Sequence, residues 1–139
     1  MSSATKAGLI GEHLSAAAIL QINEDRWSAG LVQQDKVDVV AWDDVGFIRV
    51  QVKSSHLRQH RSTPMFGFNV GSGLNKRIPT KEDHDIVCFC AIELRKVYFH
   101  PTCLINKVTY RWKQGFFETK NLEEDSWNYA VEMVRSNVC

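Results

Sequence analysis

Apolar residues recur at helical spacing from Thr5 to about Asn23, at Leu9, Ile10, Leu14, Ala17, Ala18 and Leu20. The spacing predicts a first helix that closes in the polar run Asn23-Glu24-Asp25-Arg26. The pattern then shortens. Trp27 to Gln33 fits a short strand, and Val37-Asp38-Val39-Val40-Ala41-Trp42 a second. After the turn signal Asp43-Asp44-Val45-Gly46, residues 47–53 alternate: apolar Ile48, Val50 and Val52 against polar Arg49, Gln51 and Lys53. The two stretches predict a hairpin. Residues 54–81 are irregular, punctuated by Pro64, Gly67, Gly71, Gly73 and Pro79, with a short strand expected near Met65–Val70. Asp85 to Ile92 is nearly continuous in apolar residues, as in a strand buried on both faces. Arg95 to His100 fits one more strand, ending at Pro101. A last helix follows, with Asn121 as its expected cap, Glu124 as capping-box partner, and Trp127, Ala130, Val131 and Val134 as its apolar face. Helix, strands, loop, two strands and helix make a mixed α/β sheet flanked by helices, with residues 1–139 as a single domain.

Composition keeps that picture and narrows it. The chain has 139 residues, 44% hydrophobic and 24% charged, enough for one core and too few for separate cofactor and substrate domains. No apolar run approaches the roughly 20 residues that span a bilayer. Glu12 and His13 interrupt the first apolar stretch, so it does not fit a signal-peptide core. Four cysteines, Cys88, Cys90, Cys103 and Cys139, lack CxxC spacing. They fit reduced thiols better than zinc ligands, which implies a reducing, cytoplasmic compartment.

Three features stand together as candidate chemistry. Glu12 lies in the first helix among small residues. Asp38 lies in a strand with apolar neighbours. Gln51 and Lys53, two apart on the next strand, share one face, and a short turn brings Asp38 opposite them. Hard Mg²⁺ takes oxygen ligands, commonly one or two carboxylates completed by water and substrate phosphate. Asp38 would be the central ligand, the Gln51 carbonyl a neutral one, and Glu12 a third, direct or through water. Lys53 would orient the attacking water and stabilise charge developing on phosphate. The competing reading is plain: single polar residues on strands and helices usually face solvent.

Gly11-Glu12, Val37-Asp38-Val39-Val40 and Arg49-Val50-Gln51-Val52-Lys53-Ser54-Ser55 resemble the PD-(D/E)XK nuclease superfamily. The resemblance is closest to its PD-(D/Q)XK branch of group I intron homing endonucleases. Archaeal Holliday junction resolvases share the layout. Phe66-Gly67-Phe68-Asn69-Val70 and the strands through His100-Pro101 are similar to later parts of that branch, so the likeness covers about residues 8–101. It implies a restriction-endonuclease-like mixed β-sheet flanked by α-helices. It also implies a metal-dependent DNA endonuclease of site-specific homing type, with Glu12, Asp38, Gln51 and Lys53 as active site and Mg²⁺, or Mn²⁺ in its place, as cofactor. Val37 replaces the proline of the motif. Gln51 replaces the usual acid and removes one negative charge from the metal site. Two rival functions remain: a Holliday junction resolvase and a catalytically degenerate DNA-binding module.

Net charge is only +1, from 17 Lys and Arg against 16 Asp and Glu. The sum hides an asymmetry. From Val45 to Lys81 there is no acid, and Arg49, Lys53, Arg58, Arg61, Lys76, Arg77 and Lys81 bring that stretch to +7, leaving −6 for the rest. Arg49, Arg58, Arg61, Lys76, Arg77 and Lys81 are therefore expected to bind DNA, double-stranded or branched, by replacing counterions on phosphates. His56 and His60 fall in the same stretch without partners for zinc. A second cluster interleaves Lys107, Arg111 and Lys113 with Tyr110, Trp112, Phe116 and Phe117. It suits base stacking or a backbone groove, but fits packing or an interface better. Cutting both strands needs two sites, which favours a homodimer or homotetramer.

Overall fold

The alternating stretches around Asp43–Gly46 fold as the expected hairpin, β2 (Val37–Trp42) and β3 (Phe47–Ser55), antiparallel with Val39 opposite Val50 and Trp42 opposite Phe47. The Asp43 carboxylate holds the turn. It accepts the N–H groups of Val45 (3.0 Å) and Gly46 (3.1 Å), and the guanidinium groups of Arg135 (2.6 and 2.9 Å) and Arg26 (3.2 Å). The Arg135 guanidinium foremost keeps this carboxyl well below the usual carboxylate range.

The computed structural model describes residues 3–136 and residue 139. Helix α1 (Ser3–Gln21) leads into β1 (Ser28–Gln34) and the hairpin. Then come β4 (Arg58–His60), β5 (Thr63–Asn69), β6 (Ile86–Ala91), β7 (Lys96–Pro101), β8 (Thr109–Lys113), α2 (Gln114–Phe117) and α3 (Leu122–Arg135). The central sheet has the order β1-β2-β3-β6-β7; β3 and β6 run parallel and the other pairs antiparallel. A second antiparallel sheet has the order β4-β5-β8. This is the mixed α/β sheet flanked by helices that the sequence pattern predicts.

The two faces of the central sheet carry two cores. On one, α1 and α3 cover Val39, Ala41, Ile48, Val50, Ile86, Cys88, Cys90, Val97 and Phe99. On the other, the second sheet and α2 cover Val87, Phe89 and Ala91 with Phe66, Phe68, Tyr110 and Phe117. Strand β6 is therefore buried on both faces, which is why its sequence does not alternate.

Helix α1 meets the sheet through a face its large aliphatics do not mark. Ala7, Gly11, Ser15 and Ile19 are buried, whereas Leu9, Ile10 and Leu20 are 39–47% exposed. The cause is close approach. A Cβ on Gly11 would overlap Ser54 Oγ and lie 3.3 Å from Val52 Cγ1. Ser15 Oγ donates to the Gly11 carbonyl (2.7 Å) and lies 3.0 Å from Cys88 Sγ.

Helix α3 buries Trp127, Ala130 and Val131 as expected, but it does not begin with a capping box. Asn121 sits in the left-handed region (φ 60°) and makes no side-chain cap. The first turn is used on the edge strand instead: Val97 N–H donates to Glu123 (2.9 Å) and Phe99 N–H to Ser126 Oγ (3.1 Å). Side chains thus cover the unpaired edge of β7.

Residues 54–81 are more regular than the sequence suggests. Arg61 and Ser62, both at positive φ (50° and 70°), form the two-residue loop of the β4–β5 hairpin. Strand β8 arises from the stretch of interleaved cations and aromatics. The expectation of four reduced thiols is corrected in half: Cys88 and Cys90 are free and buried, but Cys103 and Cys139 form a disulfide with Cα atoms 5.6 Å apart. Because disulfides persist in oxidising surroundings, the cysteines no longer argue for a reducing compartment. Among the described residues no helix is long and apolar enough to cross a membrane.

Candidate active site

Pleating sets the site. In β3, Ile48 and Val50 face the helices, so Arg49, Gln51 and Lys53 face the other way. Pairing of β2 with β3 ends at Val39–Val50. Continuing that register one residue sets Asp38 against Gln51, on the face that carries Lys53. There the Asp38 side chain takes over from the ladder: Val52 N–H donates to Asp38 Oδ2 at 2.8 Å. This bond fixes the carboxylate beside β3 and leaves Oδ1 for another partner.

Glu12 arrives from α1, which the glycine at position 11 lets settle against Val52 and Ser54. Electrostatics ties the groups together. Burial raises the Glu12 pKa, and the nearby Asp38 charge raises it further, with His13 opposing. Burial also raises Asp38, against the Val52 bond and the Lys53 charge. Lys53 is pushed down by burial, drawn up by Asp38 and pushed down again by Lys76. A partly buried Glu12 therefore feels the Asp38 charge, and Asp38 stands beside a partly desolvated ammonium. Among the described residues no group of three or more His, Cys, Asp or Glu side chains is placed to hold a metal ion. A site here would consist of two carboxylates and the Gln51 amide oxygen. That hard oxygen set, incomplete without water or phosphate oxygens, suits Mg²⁺ or Mn²⁺, and a cation would relieve the repulsion that raises Glu12.

The six cations expected to bind DNA divide. Arg49 donates to Asp85 (3.2 and 3.3 Å) and to the Lys81 carbonyl (2.6 Å), and its charge is matched within the fold. Arg77 makes a two-pronged pair with Asp83 (2.8 and 2.9 Å), which also accepts Lys36 (3.1 Å). The acid-free stretch is thus partly neutralised by acids just beyond its end, which a charge count stopping at Lys81 misses. Arg58, Arg61, Lys76 and Lys81 are exposed, with no ion pair among the described residues. Arg61 lies at the β4–β5 turn. Lys76 lies in the loop closed by the Ser72–Arg77 bridge and faces Lys53 electrostatically. His56 is held by Glu93 (2.9 Å).

The aromatic rings of the second cluster are packed. Tyr110, Trp112, Phe116 and Phe117 contact one another and Phe89 or Tyr98 at centroid distances of 5.0–6.0 Å. They build the second core, in line with the packing reading. A groove of about 520 Å³ opens beside Lys53, between α1 and the second sheet, with Arg58 and Arg111 in its walls. Arg111, which the sequence places in that second cluster, is turned by strand pairing away from its aromatic neighbours and into this wall.

No protein-family model and no curated protein matches the chain. Among solved structures, the bacterial homing endonuclease I-Ssp6803I is similar, with a TM-score of 0.64 over 82% of this chain and 78% of that one, at 19% sequence identity. At that identity the likeness establishes a shared nuclease-like fold.

Proposed function

We propose that the chain is a metal-dependent DNA endonuclease that hydrolyses phosphodiesters at Glu12, Asp38, Gln51 and Lys53, and that it is of the site-specific homing type. The observation that carries the reading is geometric: Asp38, held by Val52 N–H where the β2–β3 ladder ends, shares one face of the hairpin with Gln51 and Lys53. The fold it shares with a homing endonuclease supports the same class.

In this reading Asp38, fixed by Val52 N–H, presents its free oxygen to Mg²⁺ or Mn²⁺. The Gln51 carbonyl and Glu12 complete the protein's share. The metal ion, when bound, acidifies water and neutralises phosphate charge. Glu12 holds water in the site. Lys53, partly buried in the groove, donates to the attacking water or to a non-bridging phosphate oxygen and favours the more negative transition state. Gln51 supplies an oxygen without a charge, so fewer metal charges are balanced and affinity for the ion is modest. Cutting both strands in one encounter calls for two active sites, which favours a homodimer or homotetramer.

The test is cleavage, with Mg²⁺, of long linear genomic duplex that offers many candidate target sequences and of four-way-junction DNA. Wild type should cut linear duplex, and Asp38→Ala or Lys53→Ala should lose at least about 100-fold in rate while still binding DNA. Intact DNA of both kinds would sink the nuclease reading. Cutting of junctions alone would replace the homing type with a resolvase.

A further inference from the structure

Strand pairing in the second sheet sorts its side chains by chemistry. Phe66 pairs with Trp112 and Phe68 with Tyr110, all on the core side. The opposite face carries Arg58 beside Met65, Gly67 beside Arg111, and Met65 beside Lys113. His60 and Thr63 share it. No acid lies on this face. Gly67 keeps its centre low: a Cβ there would already meet Arg111 Cγ at 3.7 Å.

This face is one wall of the 520 Å³ groove. The other wall is the small-residue start of α1, Ala7 and Gly8, and the floor is β3 from Val52 to Ser55. Lys53 therefore belongs to both the groove and the candidate active site. Arg58, His60, Arg111 and His56 line the groove with it, and among the described residues no Asp or Glu does, in a chain whose charges are almost balanced. Glu93, which holds His56 and accepts Leu57 N–H, stands behind it and outside the lining. No Phe, Tyr or Trp lines the groove either, because those rings face the core. A cationic channel without a stacking surface fits phosphates rather than bases.

We propose that this groove grips the sugar–phosphate backbone of the strand being cut, next to the scissile phosphate, with Arg58 and Arg111 as its phosphate contacts. The proposal rests on the endonuclease reading and deepens it. The strand leaves the Asp38–Lys53 centre along the floor of β3 and passes between α1 and the second sheet. The contact is blind to sequence: it positions the strand, and base readout takes place elsewhere on the duplex.

The experiment is fluorescence anisotropy with a labelled duplex in EDTA, across a salt series, for wild type, Arg58→Ala, Arg111→Ala, the double variant and Arg111→Lys. Lys120→Ala, on the exposed turn before α3, serves as the charge control. Each alanine variant should weaken binding several-fold, equally on unrelated sequences, and flatten the plot of log affinity against log salt by about one unit per arginine. Arg111→Lys should keep the slope, and thermal melts of all variants should match wild type. A double variant with the slope of wild type or of Lys120→Ala overturns the proposal while leaving the nuclease reading intact. A loss confined to one DNA sequence also overturns it, in favour of base readout. Wild type that shows no salt-dependent binding overturns both.

Discussion

At the scale of single residues, the tightest constraint near the candidate site is a missing side chain. Gly11 lets α1 lie on β3 so that Glu12 comes within electrostatic reach of Asp38. Gly11→Ala would drive a Cβ into Ser54 Oγ and crowd Val52, a misfit of the kind that costs about 1–3 kcal/mol. Ser54 Oγ is buried and has no hydrogen-bond partner among the described residues, so Ser54→Ala alone should be nearly neutral. The double variant should recover part of the loss, a coupling read from urea midpoints in a double-mutant cycle. Additive effects would mean that the helix does not sit where Gly11 allows. The residues of the candidate site were legible because their alternation on β3 is plain in the sequence. The buried face of α1 was not, because a stripe of Ala, Gly and Ser carries little hydrophobic signal. Its cue is size, and size speaks only once the distance to the sheet is known.

At the scale of elements, long periodic segments were read well and short ones poorly. The β2–β3 hairpin, β6, β7 and α3 follow from periodicity. Three-residue β4 and five-residue β8 do not, since their alternation is too brief and β8 exists only through its pairing with β5. The connection after β5 was likewise unreadable, because what orders it comes from outside it. The Asp83 carboxylate, 4% exposed, binds Arg77, Lys36 and the Thr80 N–H. Through Lys36 it ties the loop of residues 72–77 to the turn that precedes Asp38. Asp83→Ala should cost about 2 kcal/mol, the worth of charge-assisted bonds lost. It should also speed tryptic cutting after Lys76 and Arg77 relative to cutting in β3. Unchanged digestion would show that the loop is ordered by its own bridge.

At the scale of the whole molecule, acid should unfold the protein in two stages. His84 is fully buried, its Nδ1 2.7 Å from Thr102 Oγ1, and burial lowers its pKa from 6.5 to about 4. The unfolded chain takes up this proton near pH 6.5 and the folded one only near pH 4. Stability is therefore full above pH 6.5 and declines toward pH 4, by roughly 3 kcal/mol. Asp43 and Asp83, held low by their arginines, have the usual carboxylate sign: their contribution is present above about pH 4 and lost below it. His84→Gln should flatten the upper stage of a stability–pH curve and leave the lower one. A decline between pH 6.5 and 4 that persists in the variant would point to another group.

The β2–β3 hairpin puts hydrophobic core and candidate chemistry on alternate residues of the same strand. Val50 and Val52 pack toward the helices; Gln51 and Lys53, next to them, lie on the opposite face, where Lys53 lines the groove. A slip of β3 by one position against β2 would bury an amide and an ammonium and put two valines in the site. Correct folding and a correctly assembled site are therefore one event in this hairpin. Single-residue insertions or deletions between Trp42 and Phe47 carry a double penalty that the length of the loop alone would not suggest.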